Sequence, residues 1–437
     1  MIESSSLSVP DDLRRRFQQG ISWNVLGALF TQGSAFLANL IIANFLGREV
    51  FGEFGMIQST VLTLAGIAQV ASGTTATKYI AEFRSTDKER AGRVLGFCAL
   101  MTLIAGALAT ILLIAGAPWL AKYVLDAPHL NTGIIIAAGY VLFSVMNGYQ
   151  VGALAGLEGF RAIAISGAVQ GFLHLTLCGL ATWLFGLEGA LAGLALSATA
   201  RWLIFGWAIR YEAARQAIVP SRVGLASERK IFFGFALPAA LTGLSSLPAL
   251  WLGNAFLVQQ PGGFSEMGSY SAANNLRVVV LFLPMLLNSV GMSLLNNERG
   301  LGDESRYRRV FWFNIRLTTA SAIVSALVVA LFGSWLLRLF GEDFVDGHHV
   351  LLILMLSTVP EAVAVAAYQP LHSLERMWLS LLAVAVPRDL VLIIGAYWLT
   401  STYGATGLAS AYTIAWIVAL LVIVSLVGRI GLRPYVR

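Results

Sequence analysis

Twelve apolar stretches divide the chain, separated by short polar connections. They run over about 20–46, 52–76, 94–116, 132–154, 162–184 and 189–211, then 231–257, 269–293, 309–332, 350–372, 377–399 and 406–428. Each is long enough to cross roughly 30 Å of hydrocarbon as a helix. In lipid only helices and closed barrels satisfy every backbone N–H and C=O, and these runs lack the short alternation of barrel strands. The pattern therefore predicts an all-α integral membrane protein of twelve transmembrane helices.

The polar connections carry a pattern of their own. Of the 29 basic residues, 22 fall in alternate loops: Arg14–Arg16, five over Lys78–Arg93, Arg161, five over Arg210–Lys230, four over Arg299–Arg309, Arg376, and three over Arg429–Arg437. The opposite loops hold only Arg48, Lys122 and Arg338, and Arg201, Arg277, Arg316 and Arg388 lie inside predicted spans. The positive-inside rule then places both termini in the cytoplasm. Composition agrees with the spans: 57% of residues are hydrophobic and 12% charged, against roughly 25% charged in soluble domains. Mean hydropathy is +0.75. The net charge of +6 is read as topology, and no nucleic-acid partner is expected. Arg14-Arg15-Arg16-Phe17 resembles a twin-arginine signal, but the apolar run behind it is too long for a cleaved leader. Cys98 and Cys178 lie in separate spans and give no disulfide framework or metal spacing.

The two halves also repeat. At a constant shift of 216, Gly52 answers to Gly268, Phe54 to Tyr270, Gln58 to Asn274, Glu82 to Glu298, Arg93 to Arg309 and Trp119 to Trp335. Leu154, Leu157 and Glu158 match Leu371, Leu374 and Glu375 at 217, and Gly186 and Gly189 match Gly404 and Gly407 at 218. Six spans per half is an even number, so the copies must be parallel repeats about an axis along the membrane normal. The expected organisation is a cytoplasmic segment 1–19, an N-lobe 20–211, a cytoplasmic linker 212–230 around Pro220, a C-lobe 231–428 and a cytoplasmic tail 429–437.

Asn44-Phe45-Leu46-Gly47-Arg48-Glu49-Val50-Phe51-Gly52-Glu53-Phe54-Gly55, followed after an apolar span by Thr77-Lys78-Tyr79-Ile80-Ala81-Glu82-Phe83-Arg84, resembles the opening of bacterial polysaccharide-export proteins of the O-antigen flippase type. Tyr270-Ser271-Ala272-Ala273 and Tyr403-Gly404-Ala405-Thr406-Gly407-Leu408-Ala409 resemble second-half patterns of that family. The resemblance covers the whole length and is most specific over the first ninety or so residues. It implies the multidrug and oligosaccharide-lipid exporter superfamily, with two six-helix lobes about a central cavity in the manner of MATE transporters. It also implies an undecaprenyl-diphosphate-linked oligosaccharide as substrate, moved to the outer leaflet of the bacterial inner membrane by alternating access. A polysaccharide polymerase and a chain-length regulator would be partners beside the lipid bilayer, and no cofactor would be needed. Unlike some relatives that move peptidoglycan precursors, the chain has no basic residue deep in its first span.

Such a substrate pairs an anionic diphosphate with a hydroxyl-rich head, so its path must be wet, cationic and rich in hydrogen-bonding groups. Arg277 is the first candidate: it lies about two turns inside span eight, and Asn274, Pro284 and Asn288 project near its azimuth. The other reading of Arg277 is a side chain snorkelling about 11 Å to the headgroups. Gln58 holds the place of Asn274 in the first half, but Val61 holds that of Arg277. Arg201 and Arg388 sit near mid-span and need partners. Glu361 lies at a depth similar to Arg388 and beside it Asp389, so an ion pair or triad of these three is expected, either as a static pin or as a proton-coupling group. Arg316 either meets an incoming diphosphate or snorkels. Gln32 and Asn39 share a face of span one and either line a cavity or join helices. His174 is read as a packed histidine, and Pro238 and Pro248 as a hinge in span seven.

No metal cluster or phosphate-cradling loop is present in the sequence, and Gly300-Leu301-Gly302 lacks the strand that a nucleotide motif requires. Two other functions share features with this reading. A multidrug cation antiporter would favour acids in its groove, whereas here four intramembrane arginines face Glu361 and Asp389. A membrane glycosyltransferase or polysaccharide polymerase would carry catalytic groups on a sizeable outer loop, and the cluster Asp343, Asp346, His348 and His349 reads instead as a solvated connection.

Overall fold

In a computed structural model, residues 11–69, 72–221, 246–300, 304–373 and 377–429 are described. Among them there is no strand. The first half comprises α1 (Asp11–Ala68), α2 (Ser72–Phe83), α3 (Lys88–Trp119), α4 (Asn131–Gly156) and α5 (Phe160–Arg215). The second comprises α6 (Ser246–Val258), α7 (Gly263–Gly300), α8 (Glu304–Leu331), α9 (Gly333–Arg338), α10 (His348–Ser373), α11 (Met377–Ser380) and α12 (Val386–Arg429). Eight helical runs are long and apolar enough to cross a membrane, which makes this a multi-pass membrane protein.

Three of those runs are interrupted by a glycine at positive φ: Gly47 in α1, Gly186 in α5 and Gly404 in α12. Gly186 (φ 57, ψ −132) and Gly404 (φ 55, ψ −131) have nearly the same backbone, in a region that only glycine enters without strain. Both reverse the chain: a Cβ on Gly193 would lie 2.8 Å from the Cα of Cys178, and one on Gly395 would lie 3.1 Å from the Cβ of Ala411. The repeat read from the sequence is thus repeated in the backbone. Divided at these glycines, the long described helices overlap the expected spans, the seventh being described only over Ser246–Val258, while α2 runs past the expected end at 76 and α9 lies between the ninth and tenth spans. Pro248 lies in that helix, while Pro238, and with it the expected double-proline hinge, lies outside the described residues.

The two halves meet through repeat-equivalent residues. A Cβ on Gly52 would lie 1.8 Å from the carbonyl oxygen of Phe264 and 2.8 Å from the nitrogen of Gly268; one on Gly268 would lie 1.9 Å from the carbonyl oxygen of Arg48. Gly55 meets Ser271, its own equivalent, in the same way. Equivalent residues touch each other only where the symmetry axis passes between them. Around this crossing, Arg48 donates from Nε to Ser265 Oγ (2.7 Å) and from a terminal nitrogen to the Asp343 carbonyl (2.9 Å) and Asp346 (3.0 Å). Phe51 packs on Phe340 and Phe344. Gln259 donates to the Val124 carbonyl (2.8 Å). These loops form one face of the bundle, hereafter the far face. Loops carrying most of the basic residues form the other, where Arg84 pairs with Glu158 and Gln216 donates to the Leu157 carbonyl.

Inter-half bonds continue inward. Asn39 donates to Asn275 Oδ1 (2.9 Å), and Asn254 donates to Ser59 Oγ (2.9 Å). Ser59 and Asn275 are themselves related by the shift of 216, so these two amide bonds are near-symmetric copies of one contact. Trp251 adds a bond to Thr60 (2.9 Å).

Candidate functional site

The second half buries its charges as matched pairs. Arg277 on α7 and Glu361 on α10 form an ion pair, with the two residues 8% and 6% exposed. Arg277 also donates to the Tyr412 hydroxyl (2.7 Å), which in turn donates to Glu361 (3.0 Å), and the guanidinium lies 4.6 Å from the Tyr412 ring centre. Asn274 accepts from Arg277 Nε at 3.0 Å. This geometry corrects two expectations. Arg277 faces inward onto α10 and α12 rather than snorkelling or lining an open groove, because a carboxylate and a phenol satisfy it there. Glu361 takes Arg277, and Arg388 is left to Asp389 (2.7 Å), Ser246 and the face of Trp416 (4.8 Å). The expected triad is therefore split between two pairs, since similar depth does not put side chains on facing sides of their helices.

Asn288, expected on the same open stripe, is 4% exposed. Its side-chain oxygen accepts from Thr318 (3.1 Å) and Asn314 (3.2 Å), and its carbonyl accepts from Gln369 (2.7 Å). The stripe thus points into the contact of α7 with α8 and α10, where it joins helices. Arg316 is exposed on α8. Asn39 joins the halves through Asn275, and Gln32 lines a mostly apolar cleft of about 220 Å³ between α1 and α7, with Leu29, Phe36, Val278 and Phe282.

The first half is built differently. A polar cavity of about 280 Å³ opens between α1, α4 and α5, lined among others by Gln58, Asn147, Gln170, His174, Ser197 and Arg201. Helical spacing assembles it: Leu194, Ser197, Ala198 and Arg201 follow i, i+3, i+4, i+7 along the second part of α5, and Gln170 and His174 are i, i+4 on the first. Arg201 has no ion-pair partner among the described residues; the Phe205 ring lies 5.2 Å from its guanidinium carbon, and Tyr140 and His174 are within electrostatic reach. The expectation that Arg201 needs a protein partner is corrected accordingly. His174 Nδ1 lies 2.9 Å from Ser197 Oγ, and that hydroxyl donates to the Leu194 carbonyl (2.8 Å). Gln58 is the one residue of the expected cavity set that joins Arg201 here.

Sequence reasoning passed over Tyr412, Asn147, Gln170 and Asn275. Tyr412 had no signal that separated it from an interface aromatic, but the amides had one, since mid-span Asn and Gln are polar groups that must find partners.

A family model described as polysaccharide biosynthesis protein matches residues 17–295. A comparison with curated proteins by sequence gives no match. Among solved structures, the chain is similar to an inward-facing multidrug resistance MATE family transporter of the MOP superfamily, at 17% identity over 94% of this chain and 98% of that one, with a TM-score of 0.78. It is similar to the lipid II flippase MurJ in an inward closed conformation, at 13% identity over 93% of this chain and 87% of that one, with a TM-score of 0.76. An outward-facing MATE family transporter gives 0.69, at 19% identity over 94% of this chain and 95% of that one. At such identities the likeness establishes the fold.

Proposed function

The chain belongs to the polysaccharide biosynthesis protein family, and on that premise we propose that it is a flippase for polyprenyl-diphosphate-linked oligosaccharides. One observation carries this reading. The two carboxylates deep in the spans, Glu361 and Asp389, are each neutralised by an arginine, while half-buried Arg201, in a polar cavity, has no ion-pair partner among the described residues. A cation held inside the spans without a counter-charge costs stability unless something else supplies it. An anionic substrate does so, whereas a cationic drug would meet repulsion. The apolar cleft between α1 and α7 lets a lipid tail remain beside the transporter while the head is held inside.

In this scheme the lobes are 20–211 and 231–428, joined at 212–230, and they rock about the Gly52–Gly268 crossing. The basic loops are cytoplasmic, so the head is taken from the cytoplasmic leaflet and released to the outer one for polysaccharide assembly.

The test is leaflet transfer in reconstituted vesicles. A labelled polyprenyl-diphosphate oligosaccharide should become accessible to an external lectin with the wild-type protein and not with Arg201→Ala of normal monodispersity. Drug efflux without lipid transfer would replace the flippase reading with that of an antiporter.

A further inference from the structure

The polar groups around Arg201 specify more than a charge. Asn147 and Gln170 are 6% and 7% exposed, both line the cavity, and Asn147 Oδ1 and Gln170 Oε1 have no hydrogen-bond partner. For Asn147 the amide orientation is set by its other end, since Nδ2 donates to the Ala198 carbonyl (3.2 Å) and leaves the oxygen open. His174 Nδ1 lies 2.9 Å from Ser197 Oγ, whose hydroxyl also reaches the Leu194 carbonyl (2.8 Å). The cavity is thus walled by two amides whose oxygens are enclosed and unmet among the described residues, by an imidazole and by the cationic donor fork of Arg201.

Buried polar groups of this kind are met by a ligand or they cost stability. A bare phosphate would answer Arg201 and leave the amide oxygens open. A neutral sugar would answer the oxygens with its hydroxyls and leave the charge. A ligand bearing both an anion and vicinal hydroxyls answers all of them. At about 280 Å³ the space is at the small end for ligand pockets, enough for one ring and its phosphate and too small for an oligosaccharide.

We propose that the cavity inside the first half is a seat for the sugar phosphate at the reducing end of the substrate, with Arg201 on the phosphate and Asn147 and Gln170 on ring hydroxyls. The seat lies within one lobe, off the symmetry axis, and Arg277 does not contribute to it. This inference rests on the flippase reading for its lipid-linked ligand, but soluble probes examine the seat without transport. Later sugars of the chain lie outside it, in the space between the lobes.

Binding is measured on the full chain in nanodiscs by calorimetry or saturation-transfer NMR, with α-glucose 1-phosphate, inorganic phosphate, methyl α-glucoside and glucuronate as probes. Glucose 1-phosphate should bind at least about tenfold more tightly than inorganic phosphate or methyl α-glucoside, and more tightly than glucuronate, whose planar carboxylate offers Arg201 two oxygens where the phosphate offers three. Arg201→Gln should reduce its affinity at least about tenfold; because Arg201 has no ion-pair partner among the described residues, its removal strands no opposite charge there and the fold is kept. Arg201→Lys should recover part of the affinity. Asn147→Leu combined with Gln170→Leu should bring glucose 1-phosphate down to the level of inorganic phosphate. Equal binding of glucose 1-phosphate and inorganic phosphate, or unchanged binding in Arg201→Gln, overturns the seat. Glucuronate binding as tightly as glucose 1-phosphate also overturns it, since a carboxylate would then serve. Lost binding with intact lipid transfer removes the seat and keeps the flippase reading; intact binding with no lipid transfer does the reverse.

Discussion

The ion pair between Arg277 and Glu361 makes the sharpest energetic prediction, because both side chains are removed from water and each is the other's charge partner. Removing one member of a buried pair costs about 3–5 kcal/mol, since the remaining charge is stranded, whereas replacing both by apolar residues of similar volume is often neutral. The two singles should not be equal. Arg277→Met strands a carboxylate that can take up a proton and become neutral, while Glu361→Met strands a guanidinium that stays charged. Glu361→Met should therefore be the worse, at about 4 kcal/mol or more, and Arg277→Met should cost less than that. In the double variant, Tyr412 loses both partners, so about 1–3 kcal/mol of penalty remains for its hydroxyl. Adding Tyr412→Phe should recover it. The assay is reversible unfolding in mixed micelles, read as a double-mutant cycle, with a coupling energy of at least about 2 kcal/mol expected. Singles within about 0.5 kcal/mol of wild type, or a double variant as unstable as the sum of its singles, would refute the reasoning. Arg201→Met is the control: no partner is stranded, so its stability should equal or exceed wild type.

Gly186→Ala and Gly404→Ala should both destabilise by about 1–3 kcal/mol for their shared backbone. Gly404→Ala should be the worse in thermal melts, because its Cβ would sit 2.7 Å from Glu266 Oε2, which accepts from the Ala405 nitrogen, whereas Gly186 has nothing within 4 Å. Gly52→Ala should force the halves apart at the far face, since its Cβ would lie 1.8 Å from a backbone oxygen; a cysteine at Ser271 should then react faster with an impermeant maleimide, and the native Cys98 and Cys178 are buried and will not interfere. Ser59→Cys with Asn254→Cys, replacing a bonded pair across the halves, should form a disulfide on oxidation that stops lipid transfer and is reversed by reductant.

The helical class, the repeat and the positions of the turns were legible because lipid enforces them locally: an apolar run of the right length, closed by a glycine where the chain must reverse, needs no distant partner to be interpreted. The site was less so. Arg277 was read as lining a groove or snorkelling, yet its partners lie 84 and 135 residues away on α10 and α12, and nothing in the spacing of span eight tells which neighbour its face meets. Depth alone grouped Glu361 with Arg388, but depth leaves the azimuth open. Tyr412 reads from sequence like any aromatic of a membrane helix, most of which serve as interface anchors. Arg201 was judged by the rule that intramembrane charge is paired, and among the described residues it has no ion-pair partner.

Placing the two halves on each other shows why their polar groups differ. At the shifts of 216, 217 and 218 that relate the corresponding spans, Arg277, Glu361 and Tyr412 fall on Val61, Ser144 and Leu194. Ser144 and Leu194 line the Arg201 cavity. The second half therefore fills with a closed ion-pair network the region that the first half leaves partly open. In the other direction Asn147, Ser197 and Arg201 fall on Ala364, Ala415 and Ala419, so the cavity's polar lining is replaced by small apolar side chains. Duplication supplied two equivalent regions, and the substitutions set them apart: one keeps an arginine and a polar cavity, the other pairs its two buried carboxylates with arginines. Symmetry holds where the halves meet, at Gly52 and Gly268, and is abandoned at the cavity that the proposed flippase would use for its substrate.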